Sequence, residues 1–132
     1  MKKVFLAEDD EYVSRMYERA FRLHGDEVEI AHDGEEALRM LTTMDPLPSV
    51  VILDLMIPKK SGLDVLKELR SNVVFDSIPI AILTNSIRPE ESEKYIALGA
   101  DVYWVKMDIQ SKDIVVLVDK LINSGRNKPQ KT

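Results

Sequence analysis

Cysteine is absent from the chain, so neither a disulfide nor a thiolate-bound metal is available to it. Long apolar runs are missing too. No stretch approaches the roughly 18 residues that cross a bilayer. The start, "MKKVFLAEDD", has too few apolar residues before its acids to be the core of a signal peptide. Nor is there a basic excess: 18 Lys and Arg stand against 23 Asp and Glu, a net charge of −5 that disfavours nucleic acid as a direct partner. No composition break or low-complexity tract divides the 132 residues, which fit one globular domain. The expectation is a cytoplasmic chain with no membrane span and no nucleic-acid partner.

What the chain holds instead is an alternation of short apolar runs and helix-period segments. "VFLA" (4–7), "SVVILDL" (49–55) and "IPIAIL" (78–83) are mostly apolar, as strands covered on both faces must be. "EVEIA" (27–31) alternates with period two and suits a strand near a sheet edge, and "DVYWV" (101–105) is a fifth strand. Val13, Met16, Tyr17, Ala20 and Phe21 recur at helical spacing, with Gly25 as the stop. Asp33 with Glu36, and Ser61 with Asp64, are expected capping boxes for two more helices. Pro89 suits the first turn of a fourth helix ending at Gly99; Ser111 to Asn123 gives a fifth, stopped by Gly125. This pattern predicts an α/β fold, a five-stranded parallel sheet doubly wound by right-handed crossovers.

Ligands bind such sheets outside the carboxyl ends of the strands. Glu8, Asp9 and Asp10 follow the first predicted strand, Asp54 ends the third, Thr84 the fourth and Lys106 the fifth. Clustered acids repel: two charges about 4 Å apart cost roughly 4 kcal/mol at an effective dielectric near 20. A cation would hold them together, and an oxygen-only donor set favours a hard ion, Mg²⁺ or Mn²⁺. For Asp10 and Glu11 the plainer alternative is helix capping. Asp54 differs, because it interrupts an apolar segment where a charge is costly without a role.

These residues carry a resemblance that covers about residues 3 to 124. With the acidic pair Glu8-Asp9, the stretch "DLMIPKKSG" (54–62), the "ILTN" threonine and "LGADVYWVK", the sequence resembles a response-regulator receiver domain of two-component signalling. The resemblance implies the flavodoxin-like strand order 2-1-3-4-5. It makes Asp54 the phosphoacceptor, Thr84 the switch hydroxyl, Tyr103 the rotating aromatic and Lys106 the catalytic lysine. It also implies a divalent ion on Asp9 and Asp54, on Glu8 through water, and on the Met56 backbone carbonyl. The implied donor is a sensor histidine kinase or a histidine phosphotransfer protein, and the output is a face offered to a downstream protein. The expected organisation is a stand-alone receiver over 1–124 with a polar tail over 125–132. It is not a turnover enzyme, since it catalyses only its own phosphorylation and dephosphorylation.

Three positions depart from the family pattern: Met107 replaces the proline after the lysine, Asn85 follows the threonine, and Trp104 is bulky for its place. Asn85 and Met107 leave a second reading, a pseudo-receiver that binds partners without phosphorylation. A flavin carrier of the same architecture needs a phosphate cradle where "EDDE" would repel it. A phosphatase of the haloacid dehalogenase type needs an aspartate where Met56 stands. His24 and His32 are expected at the surface with no ligand role.

Overall fold

The computed structural model describes residues 2–86 and 88–126. Five strands and five helices alternate along the chain: β1 (Lys3–Ala7), α1 (Glu11–Leu23), β2 (Glu27–Ala31), α2 (Gly34–Thr43), β3 (Val50–Leu53), α3 (Gly62–Arg70), β4 (Ile80–Thr84), α4 (Pro89–Ala97), β5 (Val102–Val105) and α5 (Ser111–Ser124). The strands pair in parallel in the order β2-β1-β3-β4-β5. Both the fold class and the expected order hold.

Alternation of side chains along each strand divides the core into two layers. Phe5, Val51, Leu53, Ile80 and Ile82 pack with Leu41, Leu66 and Leu69 on the α2–α3–α4 side. Val4, Leu6, Ile52 and Leu83 pack with Tyr17, Phe21, Ile114 and Val118 of α1 and α5. Each such side chain contributes about 1.5–3 kcal/mol when fully buried. β1, β3 and β4 are covered on both faces, which is why their sequences read as apolar runs.

Local chemistry sets the boundaries. β4 begins at Ile80, two residues later than the apolar run, because Pro79 has no N–H and its carbonyl takes only the Val51 amide. Ser61 and Asp64 form the expected capping box. At α2 only half of one forms: Asp33 accepts from the Glu36 amide at 2.7 Å, while Glu36 reaches one residue further back, to the His32 amide. α5 ends at Ser124, and Gly125 adopts φ 70 as its C-cap. Arg126 then folds back onto Asp101 and the Asp76 carbonyl, so the chain stays anchored one residue past the cap. Residues 127–132 of the expected tail lie outside the described residues.

The loop between β3 and α3 is held tightly at its end. A Cβ on Gly62 would stand 2.3 Å from the Asp54 carbonyl oxygen. Gly62→Ala should therefore cost at least ~1–3 kcal/mol and displace the Asp54 backbone. Urea unfolding measures this, and an unchanged midpoint would mean the loop yields freely.

Candidate functional site

The carboxyl ends of β1, β3, β4 and β5 bring the expected residues to one rim. Asp10 resolves part of the acidic cluster, since its carboxylate caps α1 by accepting from the Val13 amide at 3.0 Å. Glu8, Asp9 and Asp54 remain, each with a carboxylate oxygen within 4.8 Å of the others. Asp9 is exposed, whereas Glu8 and Asp54 are buried. The Lys106 ammonium lies between the two buried acids, 2.7 Å from Asp54 Oδ2 and hydrogen-bonded to Glu8. Backbone amides add further donors: Asp10 donates to Glu8 and Met56 to Asp54, each at 3.1 Å.

Burial pushes the Glu8 carboxyl up, against the opposing pull of Lys106 and the Asp10 amide. Burial also works against a charged Lys106, but its hydrogen bonds to Asp54 and Glu8 outweigh this and raise it above the ordinary lysine range. The ammonium thus supplies part of the positive charge that three crowded carboxylates need. Their all-oxygen donor set fits a hard divalent cation.

Thr84 is buried at the end of β4, and its Oγ1 faces the Ser86 amide at 3.5 Å. Tyr103 is half-buried, its ring centroid 6.0 Å from that of Tyr95. Its hydroxyl lies 3.2 Å from the Ser86 carbonyl and 3.3 Å from Glu91 Oε2. A cleft of about 440 Å³, lined by Met56, Thr84, Ser86, Glu91 and Tyr95 among others, runs between the β3–α3 loop, the end of β4 and α4. Met56 is 79% exposed, and its amide is the group that contacts Asp54. Trp104 packs on the opposite face of the sheet from Tyr103, in the α1–α5 layer, as strand alternation requires. The Lys106–Met107 bond is trans, Asp45–Pro46 being the one cis peptide among the described residues.

Two contacts leave no signal in the sequence. His32, expected to be a bystander, donates from Nδ1 to the Glu8 carbonyl at 3.2 Å. Glu91, which reads as an ordinary acid in a first helical turn, bonds Ser86 and Tyr103 instead.

The family model for the response regulator receiver domain matches residues 4–119. The chain belongs to the response-regulator receiver family. It is therefore the phosphoacceptor domain of a two-component response regulator. The transcriptional regulatory protein CpxR of Klebsiella pneumoniae is 37% identical over 80% of this chain. The receiver spans 43% of that relative's length, less than half. Among solved structures, the phosphorylated cyanobacterial phytochrome response regulator RcpA has a TM-score of 0.83 at 30% identity, covering 93% of this chain and 94% of its own. The Mn²⁺-bound form of response regulator Rcp1 has a TM-score of 0.77 at 28% identity, covering 91% of both chains. No helix among the receiver's described residues is long and apolar enough to cross a membrane.

Proposed function

We propose that Asp54 accepts the phosphoryl group, and that the domain answers by remodelling the face built from α4, β5 and α5. The observation that carries this reading is the 2.7 Å contact between Asp54 and Lys106, set beside Glu8 and Asp9. A carboxylate is already anionic, so Asp54 needs no general base. One of its oxygens attacks phosphorus, the new P–O bond forms, and the P–N bond to the donor's imidazole breaks, the nitrogen keeping the electron pair. Lys106 exchanges its contact with the carboxylate for one with a phosphoryl oxygen. Thr84, at the end of the neighbouring strand, supplies the hydroxyl that meets the bound group.

Glu8, Asp9, Asp54 and the Met56 carbonyl would hold Mg²⁺ or Mn²⁺. When bound, the ion offsets the clash between the carboxylates and an incoming phosphoryl anion. The domain acts in the cytoplasm, the donor is a sensor histidine kinase or histidine phosphotransfer protein, and the output is contact with a downstream protein. The domain promotes only its own phosphorylation and hydrolysis.

Incubation with Mg²⁺ and acetyl phosphate, followed by mass spectrometry, tests the reading. One phosphoryl adduct mapped to Asp54 supports it; no adduct, or one at another residue, refutes it. The metal assignment has its own check. Asp9→Ala should weaken Mg²⁺ binding by roughly 100-fold, a direct ligand being worth more than the outer-shell groups whose loss costs about 10–100-fold. Because Asp10 is the cap and Asp9 is exposed, metal-free stability should change by no more than about 0.5 kcal/mol. Calorimetric titration and urea unfolding read the two effects separately.

A further inference from the structure

Helix α4 is the least anchored of the five. Tyr95 is its one buried residue, and its N-cap, Arg88, makes no side-chain capping bond. Among the described residues, the side chain that hydrogen-bonds its first turn to the rest of the domain is Glu91. The Glu91 carboxylate accepts from the Ser86 hydroxyl at 2.6 Å and lies 3.3 Å from the Tyr103 hydroxyl. That hydroxyl has one proton, shared between Glu91 and the Ser86 carbonyl. Ser86 stands two residues beyond Thr84, with its amide facing Thr84 Oγ1. Thr84, Ser86 and Glu91 line one cleft with Tyr95, so the four reach from the end of β4 to α4. The Ser86 bond, despite some burial, holds the Glu91 carboxyl below the ordinary range, with help from Tyr103, and keeps it an anionic acceptor.

The geometry points to Glu91 as the positioning residue that carries a displacement of the Thr84–Ser86 turn and of Tyr103 into helix α4. The inference rests on the reading of Asp54 as phosphoacceptor. A carboxylate gripping two elements at once moves with both, and α4 has little other packing to resist it. Without that grip the turn and the ring can shift while α4 stays behind. The coupling then runs through one side chain with two arms, Ser86 and Tyr103, which substitution can cut separately.

Beryllofluoride with Mg²⁺ serves as the phosphoryl probe, its binding followed by fluorine NMR. Amide hydrogen exchange over residues 89–97 reports on α4. In the wild type the probe should change exchange across α4. In Glu91→Ala the helix should exchange several-fold faster before the probe is added, and the probe-dependent change should be lost although the probe still binds. Tyr103→Phe removes one arm and keeps the ring, so its response should be partial. Adding Tyr103→Phe to Glu91→Ala should have no further effect, and Glu91→Gln, which retains an acceptor, should restore part of the response. A full α4 response in Glu91→Ala overturns the proposal. Failure of the wild type to bind beryllofluoride overturns the phosphoacceptor reading itself, and this inference with it.

Discussion

Lys106→Met should destabilise the metal-free domain by about 3 kcal/mol, the low end of the ~3–5 kcal/mol that follows from removing one partner of a buried ion pair. The side chains of Glu8 and Asp54 are 2% and 8% exposed, and Lys106 is the cation between them. Methionine keeps the length of the side chain and deletes the charge, leaving two crowded carboxylates opposed. The low end applies because Asp9 opens the site to water on one side. The pH dependence follows from the direction of Glu8, whose carboxyl is already held above its unfolded range by burial. A raised folded-state carboxyl binds its proton more tightly than the unfolded chain does. It therefore stabilises below the unfolded range, and that stabilisation is lost as pH rises through the raised range. The deficit in Lys106→Met should accordingly be largest at neutral pH and shrink on acidification. Mg²⁺ should narrow it, because the uncompensated carboxylates of the variant bind the ion more tightly than the wild-type site does, and each tenfold difference in Kd contributes about 1.4 kcal/mol at saturation. Urea unfolding at several pH values, with and without Mg²⁺, measures all three. A deficit under about 1 kcal/mol that ignores both pH and metal would refute this account of the lysine.

Asp101→Ala should cost about as much, ~3–5 kcal/mol, at the far end of the sheet. The Asp101 side chain is 1% exposed and accepts from Arg70 at 3.0 Å, Arg126 at 3.2 Å and the Ile80 amide at 2.8 Å. Burial and the neighbouring Arg126 charge both disfavour the Arg70 guanidinium, and Asp101 offsets them. Alanine leaves Arg70 bonded only to the carbonyls of Gly99, Phe75 and Ile78, and orphans the Ile80 amide where β4 begins. Asp101→Asn keeps an acceptor for that amide and should lose less. Equal losses for the two substitutions would show that charge, and not the acceptor, decides the cost.

The strands and the rim are legible in the sequence for a common reason. β1, β3 and β4 are buried on both faces, so a charge beside them has to be explained, and Asp54 stands out. Capping residues act within a few positions of themselves, which is why the spacing of Ser61 and Asp64 is enough to pair them. Contacts across long separations leave no such mark. Lys106 and Glu8 are 98 residues apart, and Arg70 and Asp101 are 31, so their pairing follows from the sheet order and not from local pattern. Glu91 is illegible for another reason. An acid in a first helical turn already has an explanation in the helix dipole, which hides a second role. β5 offers no help with its faces, since all four of its residues are half-buried and none is charged.

The return of Arg126 onto Asp101 has a practical consequence for handling the protein. Asp101 precedes β5 and Asp76 precedes β4, so Arg126 stands beside the amino ends of the strands. The acidic rim lies at the other end of the sheet, about 15 Å away for strands of four or five residues. A surface tether or reporter joined after Arg126 would point away from Asp54. Molecules immobilised through that end would display their phosphoacceptor rims outward, open to donor proteins flowing past.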